Sequence, residues 1–260
     1  NSPWVSSQAK LLLGPKYALL NPSFACFRQQ SIQQNSVTVK KILIFFGSTD
    51  PKQQILLTLN VINTWPRHNH FSWTILVSEH APHFKKINER LTKEFPAISL
   101  TTFEADMAPF LSQFQLVIGA NGINAFERCC LGIPAITMNA ADNQKENSVT
   151  LNQANAIVHI EDKNLSLESR LLSALESVVT HPEHYQSLRN SALKVCDAKG
   201  SERILGELFK NQPQAKLVLA NQQHLMLLYH WQVDSETRKF SRNPKPPTLA
   251  EHEKWYQGTL

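Results

Sequence analysis

Lys41-Ile42-Leu43-Ile44-Phe45-Phe46-Gly47-Ser48-Thr49-Asp50-Pro51 is the stretch on which the fold turns. An unbroken apolar run stops at a glycine and gives way to three polar residues and a proline. A strand with one wet face alternates, whereas a continuous run suits a strand buried on both faces. Gly47 admits backbone angles that other residues avoid. Ser48, Thr49 and Asp50 are helix-capping types, and Pro51 fits a first helical position. The stretch reads as a strand, a turn and the start of a helix.

The pattern recurs outward from there. Apolar runs at 73–77, 98–103, 116–118, 135–138 and 156–160 alternate with amphipathic stretches at 51–64, 82–94, 107–113, 123–131 and 143–154. This alternation predicts an α/β fold, a Rossmann-like parallel sheet with helices on both faces. Residues 165–179, 182–196 and 201–211 then read as three closing helices, with Asn164 or Ser166 as a cap and Pro182 near a start. Residues 1–39 show little strand signal and are rich in Gln and Ser at 29–36, so they are expected to be a linker into a main domain spanning 40–210. Residues 211–260 read as an α/β tail: a strand at 216–219, a helix at 221–231, a Pro-rich stretch at 242–247 and a helix at 248–260. That tail is too short to bury a core of its own.

Composition narrows the function classes. Of 260 residues, 42% are hydrophobic and 18% charged, which excludes a disordered chain. The net charge of +5 is scattered, except at Lys40-Lys41, Lys85-Lys86 and 238–245. A nucleic-acid surface wants clustered Lys and Arg with aromatics between them, so no nucleic-acid partner is expected. A mildly basic surface does suit a small phosphate-bearing ligand. No apolar run approaches the roughly 18–20 residues of a membrane span, and no signal peptide is visible at Asn1. Four irregularly spaced cysteines argue against a disulfide framework, and a cytoplasmic location is expected. The pairs His68/His70 and His80/His83 lack zinc-site spacing, so no metal is assigned. Without a Gly-x-Ser-x-Gly elbow there is no visible serine nucleophile, and Cys129 and Cys130 read as core. No cofactor is called for.

Open α/β sheets bind ligands at the carboxyl ends of their strands. After the first strand, Gly47, Ser48, Thr49 and Asp50 either offer donors to an anion at a helix N-terminus or cap that helix. After the fourth come Gly119-Ala120-Asn121-Gly122-Ile123, where small turn residues let a ligand approach the backbone. This is neither a GxGxxG fingerprint nor a Walker loop. Glu127 follows Gly122 by about one and a half helical turns. Its carboxylate either accepts hydrogen bonds from a ribose diol or is a solvated surface group. After the fifth strand, Asn143 and Gln144 carry amides that suit sugar hydroxyls and phosphates, or else belong to a helix start.

In combination these motifs are distinctive: Leu13-Gly14-Pro15-Lys16-Tyr17-Ala18, Phe46-Gly47-Ser48-Thr49-Asp50-Pro51, Ile118-Gly119-Ala120-Asn121-Gly122, Phe126-Glu127-Arg128-Cys129-Cys130-Leu131-Gly132-Ile133-Pro134 and Asp142-Asn143-Gln144. Residues 11–210 resemble the C-terminal half of the UDP-sugar hydrolases of pseudaminic acid biosynthesis. Those enzymes release UDP from UDP-2,4-diacetamido-2,4,6-trideoxy-β-L-altropyranose by water attack. They are relatives of the peptidoglycan N-acetylglucosaminyl transferase and share its GT-B architecture of two Rossmann-like domains.

The resemblance implies a partner, UDP or a UDP-sugar, and a set of roles. Gly47 to Asp50 lie near the diphosphate, Gly119 to Ile123 present amides to it, and Glu127 holds the ribose. Met107 helps to seat the uracil, Asn143 and Gln144 face the sugar or phosphate, and Tyr17 lies in the interdomain segment. The sequence departs from the family at Ser48 and Asn121, where glycines are usual, and at Ile123 and Asn124, where Ser or Thr is usual. The family's catalytic His sits in its first domain, and no His here precedes His68. No catalytic residue is therefore assigned. The expectation is a UDP-sugar-binding half with little turnover alone, a fragment or remnant lacking its N-terminal domain. A GT-B glycosyltransferase and a non-catalytic scaffold are the alternatives. Residues 217–260 resemble the opening of a GNAT-type N-acetyltransferase, short of its acetyl-CoA loop, which implies fusion to an acetyltransferase domain.

Overall fold

The structure is a computed structural model describing residues 10–34, 38–161, 166–210, 218–239, 241 and 245–259. The chain divides into two compact units, Asn1–Leu208 and Phe209–Leu260.

The first unit is built on six strands: β1 (Lys41–Phe45), β2 (Ser72–Leu76), β3 (Ser99–Thr101), β4 (Leu116–Gly119), β5 (Ala135–Thr137) and β6 (Val158–His159). They form one sheet in the order β3-β2-β1-β4-β5-β6. Every pairing is parallel. This is the doubly wound order, and it reverses direction between β1 and β4, where such sheets open a crevice. The helices are α1 (Ser23–Gln34), α2 (Gln54–Thr64), α3 (Phe84–Glu94), α4 (Met107–Leu111), α5 (Asn124–Leu131), α6 (Lys145–Gln153), α7 (Leu167–Thr180), α8 (Pro182–Val195) and α9 (Gly200–Leu208).

Strand alternation sorts the core into two layers. Ile42, Ile44 and Ile118 pack with Ile55 and Leu59 of α2 and Leu171 and Leu175 of α7. Leu43 and Val117 point the other way, against Phe24 of α1, Leu111 of α4 and Leu131 of α5. The sheet is thus covered on both faces, which is why its strands read as continuous apolar runs. Truncating any of these fully buried Ile or Leu residues to Ala costs about 2–5 kcal/mol.

Three expectations need correction. The linker expected over 1–39 contains α1. This helix is fixed by distant contacts: Arg28 donates to the carbonyls of Cys130, Leu193 and Cys196 at 2.7–2.9 Å. Those carbonyls lie at or just past the C-terminal ends of α5 and α8, where helices leave acceptors unpaired. Next, α2 starts at Gln54, so Pro51 lies in the preceding turn and not at the first helical position. The tail is the third. Its described residues form α10 (Leu225–Val233), α11 (Ser235–Arg238) and α12 (Leu249–Gln257), and no strand is found among them. Lys216 and Leu217 of the expected strand lie outside the described residues, as does Asn164 of the expected cap. Ser166 does cap α7. In the second unit, α12 opens with a capping box between Thr248 and Glu251. The His252 ring there bridges Gln232 Oε1 and the Leu225 carbonyl, each at 3.0 Å.

Candidate functional site

The register pairs Phe45 with Gly119, so the bends after β1 and β4 leave the sheet side by side. A methyl group on Gly119 would sit 2.3 Å from the Phe45 carbonyl oxygen, which restricts that position to glycine. Gly47 turns the other bend at φ 90°, a left-handed conformation that favours glycine.

The β1–α2 bend is filled by the protein's own anion. Asp50 is fully buried. One of its oxygens accepts the Gln54 N–H and the other the Ile55 N–H, both at 2.9 Å. This reach across four residues sets the start of α2. Burial pushes the Asp50 carboxyl above its ordinary value, and the two N–H bonds partly offset that. Ser48 and Thr49 are exposed. Asp50, expected near the diphosphate, thus occupies the helix N-terminus itself.

The β4–α5 bend is arranged differently. Ile123 caps α5 without a side-chain bond. Among the described residues, the N–H groups of Gly122, Ile123 and Asn124 have no internal acceptor. Ile123 is exposed, and Glu127, one turn further on, shares its face of α5. Glu127 is half-buried and accepts a hydrogen bond from Asn124 Nδ2 at 3.0 Å. Burial raises its carboxyl above the ordinary glutamate value, with Asn124 and Arg128 pulling the other way.

Beneath this bend lies a polar network that the sequence reading missed. Arg128 is 1% exposed. Its Nη2 donates to the Ala120 carbonyl at 3.0 Å and to Asn121 Oδ1 at 3.3 Å. Its Nε and Nη1 are buried without a partner. Burial lowers its pKa to about 10, so it remains a cation at neutral pH. Asn121 is fully buried, and its Nδ2 donates to Thr137 Oγ1 at 2.9 Å and Ser148 Oγ at 2.8 Å. The Asn121 side chain is therefore spent inside the protein, and only its backbone can face a ligand. A signal for Arg128 was available: it stands three residues from Ala125 and from Leu131, on the buried face of α5.

The other expected residues divide. Gln144 reaches the second bend, its Nε2 3.7 Å from where a Gly122 methyl would stand, while its Oε1 accepts the Ala140 N–H at 3.1 Å. Asn143 is exposed in the same short turn. Met107 is the first residue of α4, behind the Asp106 cap, and packs against the core layer that contains α5. Tyr17 belongs elsewhere. It ends a 3-10 turn whose neighbour Lys16 accepts a bond from Arg203 of α9 at 2.9 Å, and its own backbone abuts Gly200.

Next to the crevice, at the carboxyl ends of β5 and β6, is a cleft of about 480 Å³. Gln54, Asn139, Ser148 and His159 line it, with Lys52 and Lys145 among the charged residues. His159 engages Thr137 Oγ1 at 3.0 Å and Asn139 Nδ2 at 3.4 Å. Burial lowers its pKa, so it is neutral at pH 7. Gln54 Nε2 donates to the Asn139 carbonyl at 3.3 Å. Neither Gln54 nor His159 was expected here. Among the described residues no cluster of His, Cys, Asp or Glu suits a metal ion, and no helix is long and apolar enough to cross a membrane.

Comparison with known proteins agrees with this architecture. A profile described as "Glycosyltransferase family 28 C-terminal domain" matches residues 41–204. The spore coat polysaccharide biosynthesis protein SpsG of Bacillus subtilis (strain 168) is 23% identical over 212 residues, 80% of this chain and 62% of SpsG. The chain therefore spans less than two thirds of that relative. Among solved structures, Acinetobacter baumannii MurG superposes with a TM-score of 0.53 at 16% identity, over 70% of this chain and 53% of MurG. The UDP-GlcNAc 2-epimerase from Neisseria meningitidis bound to UDP-GlcNAc gives 0.51 at 16% identity, over 73% of this chain and 50% of the epimerase.

Proposed function

The chain belongs to the glycosyltransferase family 28 C-terminal domain family, and on that premise we propose that its first unit binds UDP and UDP-linked sugars in the crevice between the β1 and β4 bends. One observation carries the proposal: free N–H groups at Gly122 and Ile123 stand one helical turn from the half-buried Glu127. The amides suit a diphosphate, because unpaired N–H groups and the helix dipole favour negative charge. The Glu127 carboxylate suits the two ribose hydroxyls, accepting a hydrogen bond from each. Gln144 flanks the diphosphate, and the neighbouring cleft has room for the sugar. The epimerase structure, which holds UDP-GlcNAc on a similar fold, supports this use of the architecture.

We take the reaction served to be release of UDP from a UDP-2,4-diacetamido-trideoxy-hexose by water, as the sequence resemblance implies. The family description favours a second reading, transfer of the sugar to an acceptor. Both reactions use this unit in the same way, to hold the nucleotide and orient the bond from sugar to phosphate. No catalytic residue is assigned. His159, which lines the neighbouring cleft, already engages Thr137 and Asn139. The acetyltransferase-like reading of residues 211–260 is likewise a proposal.

Calorimetric titration with UDP tests the binding claim. Saturable heat is expected, and Glu127→Ala weakens binding by about 1–3 kcal/mol, the scale for removing one partner of a polar contact. No heat at millimolar UDP overturns the proposal. Adding a UDP-sugar with and without candidate acceptors, and following free UDP, separates hydrolysis from transfer.

A further inference from the structure

Arg128 presents an energetic problem. A charge taken out of water is costly unless paired. This guanidinium is 1% exposed and touches only neutral oxygens, the Ala120 carbonyl and Asn121 Oδ1. No ion pair to it is found among the described residues. The nearest acid, Glu127, is bonded to Asn124. Two of its nitrogens have no partner at all. A chain selected for stability alone would place an apolar side chain there, among Ala125, Cys129 and Leu131.

The location suggests what the charge does. Both contacts of the guanidinium are to the β4–α5 bend, from its interior side. Holding the Ala120 carbonyl inward keeps that oxygen, which would repel an anion, out of the crevice. The unpaired charge also adds to the field of the free N–H groups at Gly122 and Ile123. Because it is buried, salt screens it little.

We propose that Arg128 is a specificity-determining positioning residue: it sets the β4–α5 bend to select the diphosphate of a nucleotide over an uncharged nucleoside, without touching the ligand. This rests on the nucleotide reading above and adds to it the source of charge selectivity. At the other bend the start of α2 is already taken by a carboxylate, Asp50, which accepts the Gln54 and Ile55 N–H groups.

The test compares UDP with uridine on the full chain by calorimetry. The wild type is expected to prefer UDP by at least about a hundredfold, and the ratio should stay within about threefold from ~0.05 M to ~0.5 M NaCl, since the charge responsible is buried. Arg128→Met, which keeps volume but removes charge, should lose at least about tenfold in UDP affinity while uridine affinity stays within about threefold. Arg128→Lys should keep most of the preference. A Met variant that folds with its UDP-to-uridine ratio intact overturns the proposal. If that variant does not fold, a wild-type preference that collapses at high salt overturns it equally, and one that persists supports it. Wild-type protein that binds uridine and UDP alike refutes this inference and the diphosphate role of the amides, and leaves nucleoside binding at Glu127 standing. Binding of neither refutes the nucleotide reading and the inference together.

Discussion

The bends after β1 and β4 are built from similar parts: a strand end, a glycine, polar residues and a helix. They lie side by side, because Phe45 and Gly119 are in register. Yet the first buries an anion, Asp50, bonded to two amides at the start of α2. The second buries a cation, Arg128, and leaves the first amides of α5 free. From sequence the two looked interchangeable as phosphate cradles. Their hydrogen bonds differ at the helix starts: the Asp50 carboxylate accepts the first amides of α2, whereas the first amides of α5 have no internal acceptor among the described residues.

The largest expected effect is at the strand ends. Gly119→Ala forces a methyl group against the Phe45 carbonyl at 2.3 Å. It should cost more than about 3 kcal/mol in urea unfolding, because backbone must move. Gly122→Ala, with only Gln144 Nε2 at 3.7 Å, should leave stability unchanged. If the two variants unfold alike, the close approach of the strand ends is wrong. Asp50→Ala comes next, at about 2 kcal/mol, since it strips a cap and leaves buried N–H groups unpaired. UDP affinity should survive that change, whereas an equal loss at both bends would erase the difference between them. Gly47→Ala should cost about 1 kcal/mol, from left-handed strain without a clash.

The sheet was legible in the sequence because Ile42, Leu43 and Ile44 are each buried on one of its two faces. That leaves an uninterrupted apolar run, which few other structures require. The helix α1 was not legible. Its residues are mostly polar, and what fixes it is Arg28 reaching carbonyls a hundred or more positions away. The start of α2 was misread because Pro51 fits a first helical position locally, while the true stop is a carboxylate folding back on Gln54 and Ile55. Turn chemistry placed Gly119 and Gly122 at the bend after β4, and spacing placed Glu127 on the helix that follows, which is where they lie. Asn121 was expected to offer its backbone at a turn of small residues, and the internal bonding of its side chain to Thr137, Ser148 and Arg128 was not foreseen. Arg128 was overlooked because arginines normally lie at the surface, although its spacing from Ala125 and Leu131 put it inside.

The smallest effects concern pH. Burial raises the Glu127 carboxyl above the ordinary value of 4.5, so it takes up a proton earlier on acidification. The protonated form is a poorer acceptor for ribose. The advantage of wild type over Glu127→Gln in UDP affinity should therefore be full at neutral pH and shrink as pH falls through that raised value. A constant ratio would remove Glu127 from the ligand. Asp50 shifts in the same direction from 3.8. A raised carboxylate binds its proton more tightly folded than unfolded. Wild type should therefore gain stability relative to Asp50→Asn as pH falls toward the ordinary aspartate range, and lose that gain as pH rises through the raised value.

The contrast between the bends is tested most directly by amide NMR of the full chain during titration with UDP. The largest shifts should fall on the N–H groups of Gly122, Ile123 and Asn124, with those of Gln54 and Ile55 nearly still. Dominant shifts at Gln54 and Ile55, with the start of α5 unmoved, would contradict the account.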